Sequence, residues 1–275
     1  MSLSPWVELP ALSRALGPYE ATLSVTVSDE TASTNTLAKA DAALDTPALY
    51  MARTQTEGRG RLGRSFHSPA DTGLYMTVAY TTRRPLIEAV RVTAAAAVAA
   101  CSAVEAVTDI TPAIKWVNDL YLDGCKVGGI LTEAVTRGDG SHRIIVGLGI
   151  NLSTAVFPEG LRAPAASLFP PDRAGEVTPT LLGTLAGEIT RRLLALAFPD
   201  GGSEFPEGAW GDACLDFYRR RLLYVGERVV CSRGDTRFEG TVRGVDKDYS
   251  LLVETDGRVA VLSSGEISLR PAAKA

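Results

Sequence analysis

A two-residue loop, Asp123-Gly124, separates two apolar-polar alternations in AIKWVNDLYLDGCKVGGILTEAV (113–135). Asp-Gly between alternating runs is the strongest short-range signal for a β-hairpin, because both loop residues must take positive φ. The turn also fixes register. Leu122 then faces Cys125, and Tyr121 faces Lys126. Asp119 lies two residues before Tyr121, shares its face and becomes a diagonal neighbour of Lys126. If the first strand stays regular, Lys115 has the same parity, and Trp116 points the other way, into the core. Two lysines and an aspartate on one sheet face make a poor core. They suit a phosphate-and-metal site, or else a solvent-facing salt bridge.

Glycine placement near this ribbon is unusual. VGGIL sets Gly128 and Gly129 in a strand interior, which weakens the strand unless something approaches closely. In VGLGINLS, Gly147 and Gly149 share a face and leave it bare for a flat ligand, with Asn151 at the same parity.

The loop TEGRGRLGRS (56–65) has the G-x-G-x-x-G spacing at Gly58, Gly60 and Gly63 and carries Arg59, Arg61 and Arg64. A dinucleotide fold needs a helix after those glycines and an acid about 20 residues further on. SFHSPADTG has no helical rhythm, and VAYTTRR (78–84) holds no acid, which disfavours that fold. Guanidinium forks suit phosphate oxygens, and glycines keep a backbone mobile and approachable. Such a loop is expected to be mobile when empty and to order over an anion. Its bland reading is a solvated basic surface loop.

Along the rest of the chain, strands are expected at 22–29, in PALYMART and GLYMTVAY on either side of the arginine loop, and at 143–153. Helices are expected within 31–44, with Ser33 or Thr34 as N-cap, and at 86–107, 178–198 and roughly 207–221. After Leu223 the texture becomes four or five short strands with turns between them, a small barrel. The boundary falls near 222, giving a larger domain over 1–221 and a smaller one over 222–275.

A net charge of −4 argues against a general nucleic-acid binder. Four scattered cysteines and two lone histidines offer no metal-ligand spacing and fit a reduced, cytoplasmic chain. The N-terminus lacks signal-peptide organisation, and TAAAAVAACSAV (93–104) is too short to span a bilayer, so no membrane partner is expected.

STN (33–35), QTEGRGRLGR (55–64), KWVNDLYLDGCKVGGILTE (115–133) and GLGIN (147–151), in that order, resemble the biotin protein ligases. The resemblance covers roughly 22–221. It implies an α+β fold with a mixed sheet flanked by helices, of the class II synthetase-like biotin/lipoate ligase type, followed by a small SH3-like C-terminal barrel. The implied reaction joins biotin to ATP as biotinyl-5′-adenylate. Biotin then passes to a lysine of the biotin carboxyl carrier domain of a biotin-dependent carboxylase, with Mg²⁺ assisting.

By the same resemblance, Lys126, Arg61 and Asp119 are catalytic. Biotin is met by Ser33, Thr34, Asn35, Gln55, Arg59, Gly60, Arg61, Lys126, Gly128 and Gly129. ATP is met by Arg59, Arg61, Arg64, Phe66, Lys115, Asn118, Asp119, Gly149 and Asn151, and Asp119 also serves the metal. Two residues depart from the family pattern. Val117 replaces the usual proline and implies a more ordinary backbone. Glu57 replaces a small residue and is unhelpful near phosphates unless it points outward. About 20 residues precede the first strand, too few for the winged helix-turn-helix of repressor members, so no DNA partner is expected. A monomer or a homodimer fits equally well. A lipoate or octanoate ligase or transferase of related fold is the alternative; it would want a longer apolar channel and no ureido contacts. A nucleic-acid binder using the arginine loop and the barrel is a third reading, and the barrel lacks an aromatic stacking series for it.

Overall fold

The computed structural model describes residues 6–84, 89–197, 211–233, 236–263 and 267–271. Its centre is a seven-stranded sheet in the order β1 (Ser24–Thr31), β2 (Ala48–Gln55), β3 (Gly73–Thr82), β7 (His142–Asn151), β6 (Cys125–Thr136), β5 (Asp119–Leu122), β4 (Ala113–Lys115). β1 and β2 run parallel and every other neighbouring pair is antiparallel, so the sheet is mixed as expected.

Strand parity divides the interior. Leu74, Met76 and Val78 of β3, with Val146, Leu148 and Ile150 of β7, bury into one large core. That face is covered by α3 (Ala89–Thr108) and α4 (Pro179–Ala197). The opposite face carries Ala79, Ile145, Ala48 and Tyr50, and Ala38 of α2 (Thr34–Ala40) packs on them. α2 is short and covers only part of this face. The rest of that face is where β7 has glycines, themselves buried.

Several elements depart from expectation for definable reasons. The segment 31–44 is helical only over Thr34–Ala40, because the residue that docks is Ala38, whereas Leu44 is 41% exposed. β1 lies at the sheet edge and buries none of its residues, so it is less covered than its alternation suggests. α3 is a core helix, with Ala94, Ala96, Ala97 and Ala99 all fully buried. Its Val90–Thr108 stretch is nevertheless long and apolar enough by composition to cross a membrane, a length the 93–104 run alone lacked; 67% of that window is buried inside the fold. α5 spans Asp212–Arg221; positions 207–210 of its expected range, and 86–88 of α3's, lie outside the described residues. α1 (Leu9–Leu16), not expected from the sequence, crosses α4 where Gly183 and Gly187 leave it room. A Cβ on Gly183 would meet Glu8 O at 2.4 Å, and one on Gly187 would meet Ala15 Cβ at 2.5 Å.

The Asp123-Gly124 hairpin forms as expected, with φ of 49° and 78°, and pairs Tyr121 with Lys126 and Leu122 with Cys125. The strand before it is not continuous. A turn at Trp116–Asn118 splits it into β4 and β5, and the Trp116–Val117 peptide is cis, so the backbone at Val117 is not the ordinary one expected. Lys115 therefore stands across from Asp119 on a neighbouring strand. Trp116 is in the core as expected, 6% exposed.

After α5, five antiparallel strands form a second sheet in the order β11 (Arg258–Leu262), β10 (Leu251–Thr255), β9 (Thr236–Val245), β8 (Arg228–Arg233), β12 (Ile267–Pro271), the SH3-like element. It docks beside the seven-stranded sheet. Trp116 Nε1 donates to Tyr249 O at 2.8 Å, and Tyr218 of α5 stacks edge-on against Tyr249 at 5.3 Å.

Candidate active site

The uncovered part of the sheet is a set of aligned rows. In one, Asp119, Gly129, Gly149 and Tyr75 follow each other across β5, β6, β7 and β3; in the next, Leu131, Gly147, Thr77 and Tyr50 do so. Paired residues share a face, so two rows hold three glycines over one area. A cleft with about 470 Å³ of atom-free space, its open mouth included, lies over them. It is lined by the arginine loop on one side and the β5–β6 ribbon on the other.

The glycines are required by what lies on them. A Cβ on Gly147 would sit 2.1 Å from Asn35 Oδ1, and one on Gly149 would sit 2.5 Å from the Phe66 ring. At Gly129 the near neighbour is Lys126 Nζ, 3.2 Å from such a Cβ. Gly128 faces the other way, toward Leu120, and does not line the cleft; Gly149 O comes within 2.8 Å of where its Cβ would be.

The cleft floor is polar and tightly bonded. Ser33 is the N-cap of α2, makes no side-chain cap bond and lines the cleft. Gln55, the last residue of β2, caps the helix instead: its Oε1 accepts from Thr34 N at 2.9 Å, and its Nε2 donates to Ser68 Oγ at 3.0 Å. Asn35 accepts from Thr77 Oγ1 at 2.6 Å and donates to Glu133 Oε2 at 2.8 Å. Thr77 and Ser68 escape a reading by motif, and Glu133 ends the 115–133 motif without a role read for it. The trace of Thr77 is a polar residue within the otherwise apolar GLYMTVAY.

The arginine loop closes the cleft from the side. It leads into β3 and is followed by no helix, which disposes of the dinucleotide reading. Gly60 N donates to Arg64 O and Phe66 N to Gly58 O, each at 2.8 Å, so the loop is a small hairpin. Leu62 and Gly63 turn it with φ of 61° and 69°. Arg61 Nη1 crosses to donate to Asn118 Oδ1 at 3.0 Å. Burial lowers the Arg61 pKa, and the Asp119 carboxylate partly restores it. Glu57 is exposed and does not line the cleft.

Opposite, Lys126 Nζ lies 2.5 Å from Asp119 Oδ1. The segment 164–166 clamps the lysine's backbone: Lys126 N donates to Pro164 O and Ala166 N to Lys126 O.

Of the expected residues, Ser33, Thr34, Asn35, Gln55, Arg59, Gly60, Arg61, Phe66, Asn118, Lys126, Gly129 and Gly149 line this one cleft. Besides Gly128, four others stand back from it. Arg64 is exposed on the far limb of the loop. Lys115 lies over the Tyr121 and Tyr224 rings and bonds Tyr121 Oη at 3.2 Å. Asn151 is buried and donates to Ala166 O at 3.2 Å. Asp119 reaches the cleft through Lys126.

Residues 27–151 match the model of the Biotin/lipoate A/B protein ligase family. Over those residues the chain is similar to a biotin/lipoate A/B protein ligase domain. The chain is 31% identical over 223 residues to the bifunctional ligase/repressor BirA of Bacillus spizizenii, covering 80% of this chain. The chain spans about two thirds of that relative's length, 66%. It is 28% identical over 249 residues to the biotin–[acetyl-CoA-carboxylase] ligase of Mycobacterium tuberculosis, covering 86% of each chain. Its fold is similar to the biotin protein ligase of Aquifex aeolicus solved with biotin and ATP, with a TM-score of 0.70, 25% identity, and coverage of 90% of this chain and 99% of that one. The cleft lies within the matched region for every lining residue.

Proposed function

We propose that this chain is a biotin protein ligase that makes biotinyl-5′-adenylate from biotin and ATP and passes biotin to a lysine of a biotin carboxyl carrier domain. One observation carries the reading: Arg61 and Lys126, from separate elements, line a single cleft whose floor is Ser33, Thr34, Asn35 and Gln55. A neutral bicyclic urea wants hydroxyl and amide partners, and this floor supplies them.

Adenylation brings two anions together. The biotin carboxylate oxygen attacks the α-phosphorus, the bond from that phosphorus to the bridging oxygen breaks, and pyrophosphate leaves. Lys126 and Arg61 neutralise the approaching groups and hold them in line. Arg59 and Gly60 cover the biotin chain, Phe66 faces the adenine, and Asn118 holds the nucleotide and Arg61 together. Arg64, on the outer limb, meets the triphosphate. In the second step an acceptor amine attacks the mixed-anhydride carbonyl and AMP departs, the amine losing a proton.

Among the described residues no group of three His, Cys, Asp or Glu side chains could hold a metal. Magnesium binds through one or two carboxylates plus phosphate oxygens, so Asp119 with the triphosphate fits an ion delivered with ATP. The reading includes a cytoplasmic setting, in keeping with four free cysteines, and a division into a catalytic unit to 221 and an SH3-like unit from 222. It includes no DNA partner.

Mass spectrometry of a carrier domain incubated with the protein, ATP, Mg²⁺ and biotin tests the proposal. One biotin on one lysine is expected. Labelling with lipoate or octanoate in place of biotin would move the assignment to the related lipoate enzymes.

A further inference from the structure

Glu133 sits on β6 just behind the cleft floor, between two partners of different kind. Lys39 Nζ of α2 lies 2.6 Å from its Oε1, and Asn35 Nδ2 donates to its Oε2 at 2.8 Å. We propose that the Lys39–Glu133 pair is a positioning device that fixes the direction of the Asn35 and Thr77 hydrogen bonds in the floor, and so keeps Thr34 an acceptor for a ring N–H of biotin. This rests on the biotin reading above.

The direction follows from counting protons. An ionised carboxylate only accepts, so Asn35 can meet Glu133 only with its NH₂ end. Its Oδ1 is thereby turned to Thr77, whose hydroxyl donates to it at 2.6 Å. A hydroxyl has one proton. Thr77 then has no proton left for Thr34 at their 2.8 Å contact, and the Thr34 hydroxyl donates either to Thr77 Oγ1 or, at 3.2 Å, to Gln55 Oε1. Thr34 has then spent its proton inward, and a lone pair remains for the cleft. A ligand that offers N–H there is accepted, and one that offers only an oxygen meets two facing lone pairs.

Lys39 holds the carboxylate's other oxygen. The pair is partly exposed, with side chains 34% and 26% accessible, and such pairs contribute little to stability. Its value lies in orientation. Replacing the acid by glutamine removes that orientation, because a glutamine amide can turn either end toward Asn35.

Calorimetric titration of the whole chain with biotin, with ATP, and with a biotin methylated on a ureido nitrogen tests this. For Glu133→Gln, biotin Kd is expected to rise roughly tenfold, the scale of one net hydrogen bond. The penalty for the methylated analogue is expected to shrink, ATP affinity and melting temperature to stay near wild type, and KM for biotin to rise with a smaller change in kcat. Thr77→Val cuts the same relay one bond later and is expected to act likewise. Wild-type biotin affinity in both variants, or parallel losses of biotin binding, ATP binding and melting temperature, overturns the relay. Wild-type protein that binds no biotin at all overturns the functional reading itself and the relay with it.

Discussion

Lys126 Nζ rests 2.5 Å from Asp119 Oδ1 across the β5–β6 ribbon, above a glycine whose Cβ would lie 3.2 Å from that nitrogen. The bare row beneath lets an ammonium lie flat along the sheet instead of standing off it. Lys126→Ala removes the one ammonium lining the cleft among the described residues and is expected to slow pyrophosphate release at least about 100-fold, the scale of losing one donor aimed at developing charge. Biotin should still raise the melting temperature of this variant. Release within a few-fold of wild type would separate the lysine from the chemistry.

Gly147 and Gly149 are predicted to reject alanine for different reasons. At Gly147 the methyl overlaps Asn35, so biotin affinity should fall with little change in ATP affinity. At Gly149 it overlaps the Phe66 ring and should weaken ATP first. Each is expected to destabilise the fold by about 1–3 kcal/mol through overpacking. Paired titrations of both variants decide; identical ligand profiles would contradict the division.

Arg61→Gly cuts the bond to Asn118 that ties the loop to the ribbon. The adenylate should then escape, seen as biotin on bystander lysines of an added inert protein. Full retention of adenylate in this variant would show that the loop is not a lid.

Trp116→Phe tests the seam between the two sheets. It leaves the buried Tyr249 carbonyl without its donor, at a cost of about 1–3 kcal/mol. Urea unfolding of the variant should show that loss; an unchanged midpoint would mean that water replaces the indole.

Alkaline pH should unfold the protein early. Burial pushes the phenols of Tyr50 and Tyr75 from 10.0 up to about 12, and the carboxylate of Asp41 adds to the rise at Tyr50. The unfolded chain releases these protons from pH 10 upward while the folded chain keeps them, so stability is full below 10 and falls on approach to 12. Each phenol adds a slope of up to about 1.4 kcal/mol per pH unit. Denaturation midpoints that stay flat through this window, or tyrosinate absorbance rising without unfolding, would refute the burial account.

What the sequence determined by itself is local and periodic. Asp123-Gly124 dictates the two-residue turn that pairs Tyr121 with Lys126, whereas a register shift between Leu120 and Tyr121 sets Gly129 rather than Gly128 across from Asp119. The parity of Gly147 and Gly149 put both on one bare face before any partner strand was known. Tertiary structure decided what no window of sequence contains. Lys115 left the cleft because β4 and β5 are separate strands, and Asn151 was claimed by the carbonyl of Ala166. Thr77 and Glu133 joined the floor because β3, β7 and β6 stack their rows in register over α2. Side-chain parity is set by the two-residue repeat of a strand, whereas which rows meet depends on pairings between residues as much as 98 positions apart, as Asn35 and Glu133 are.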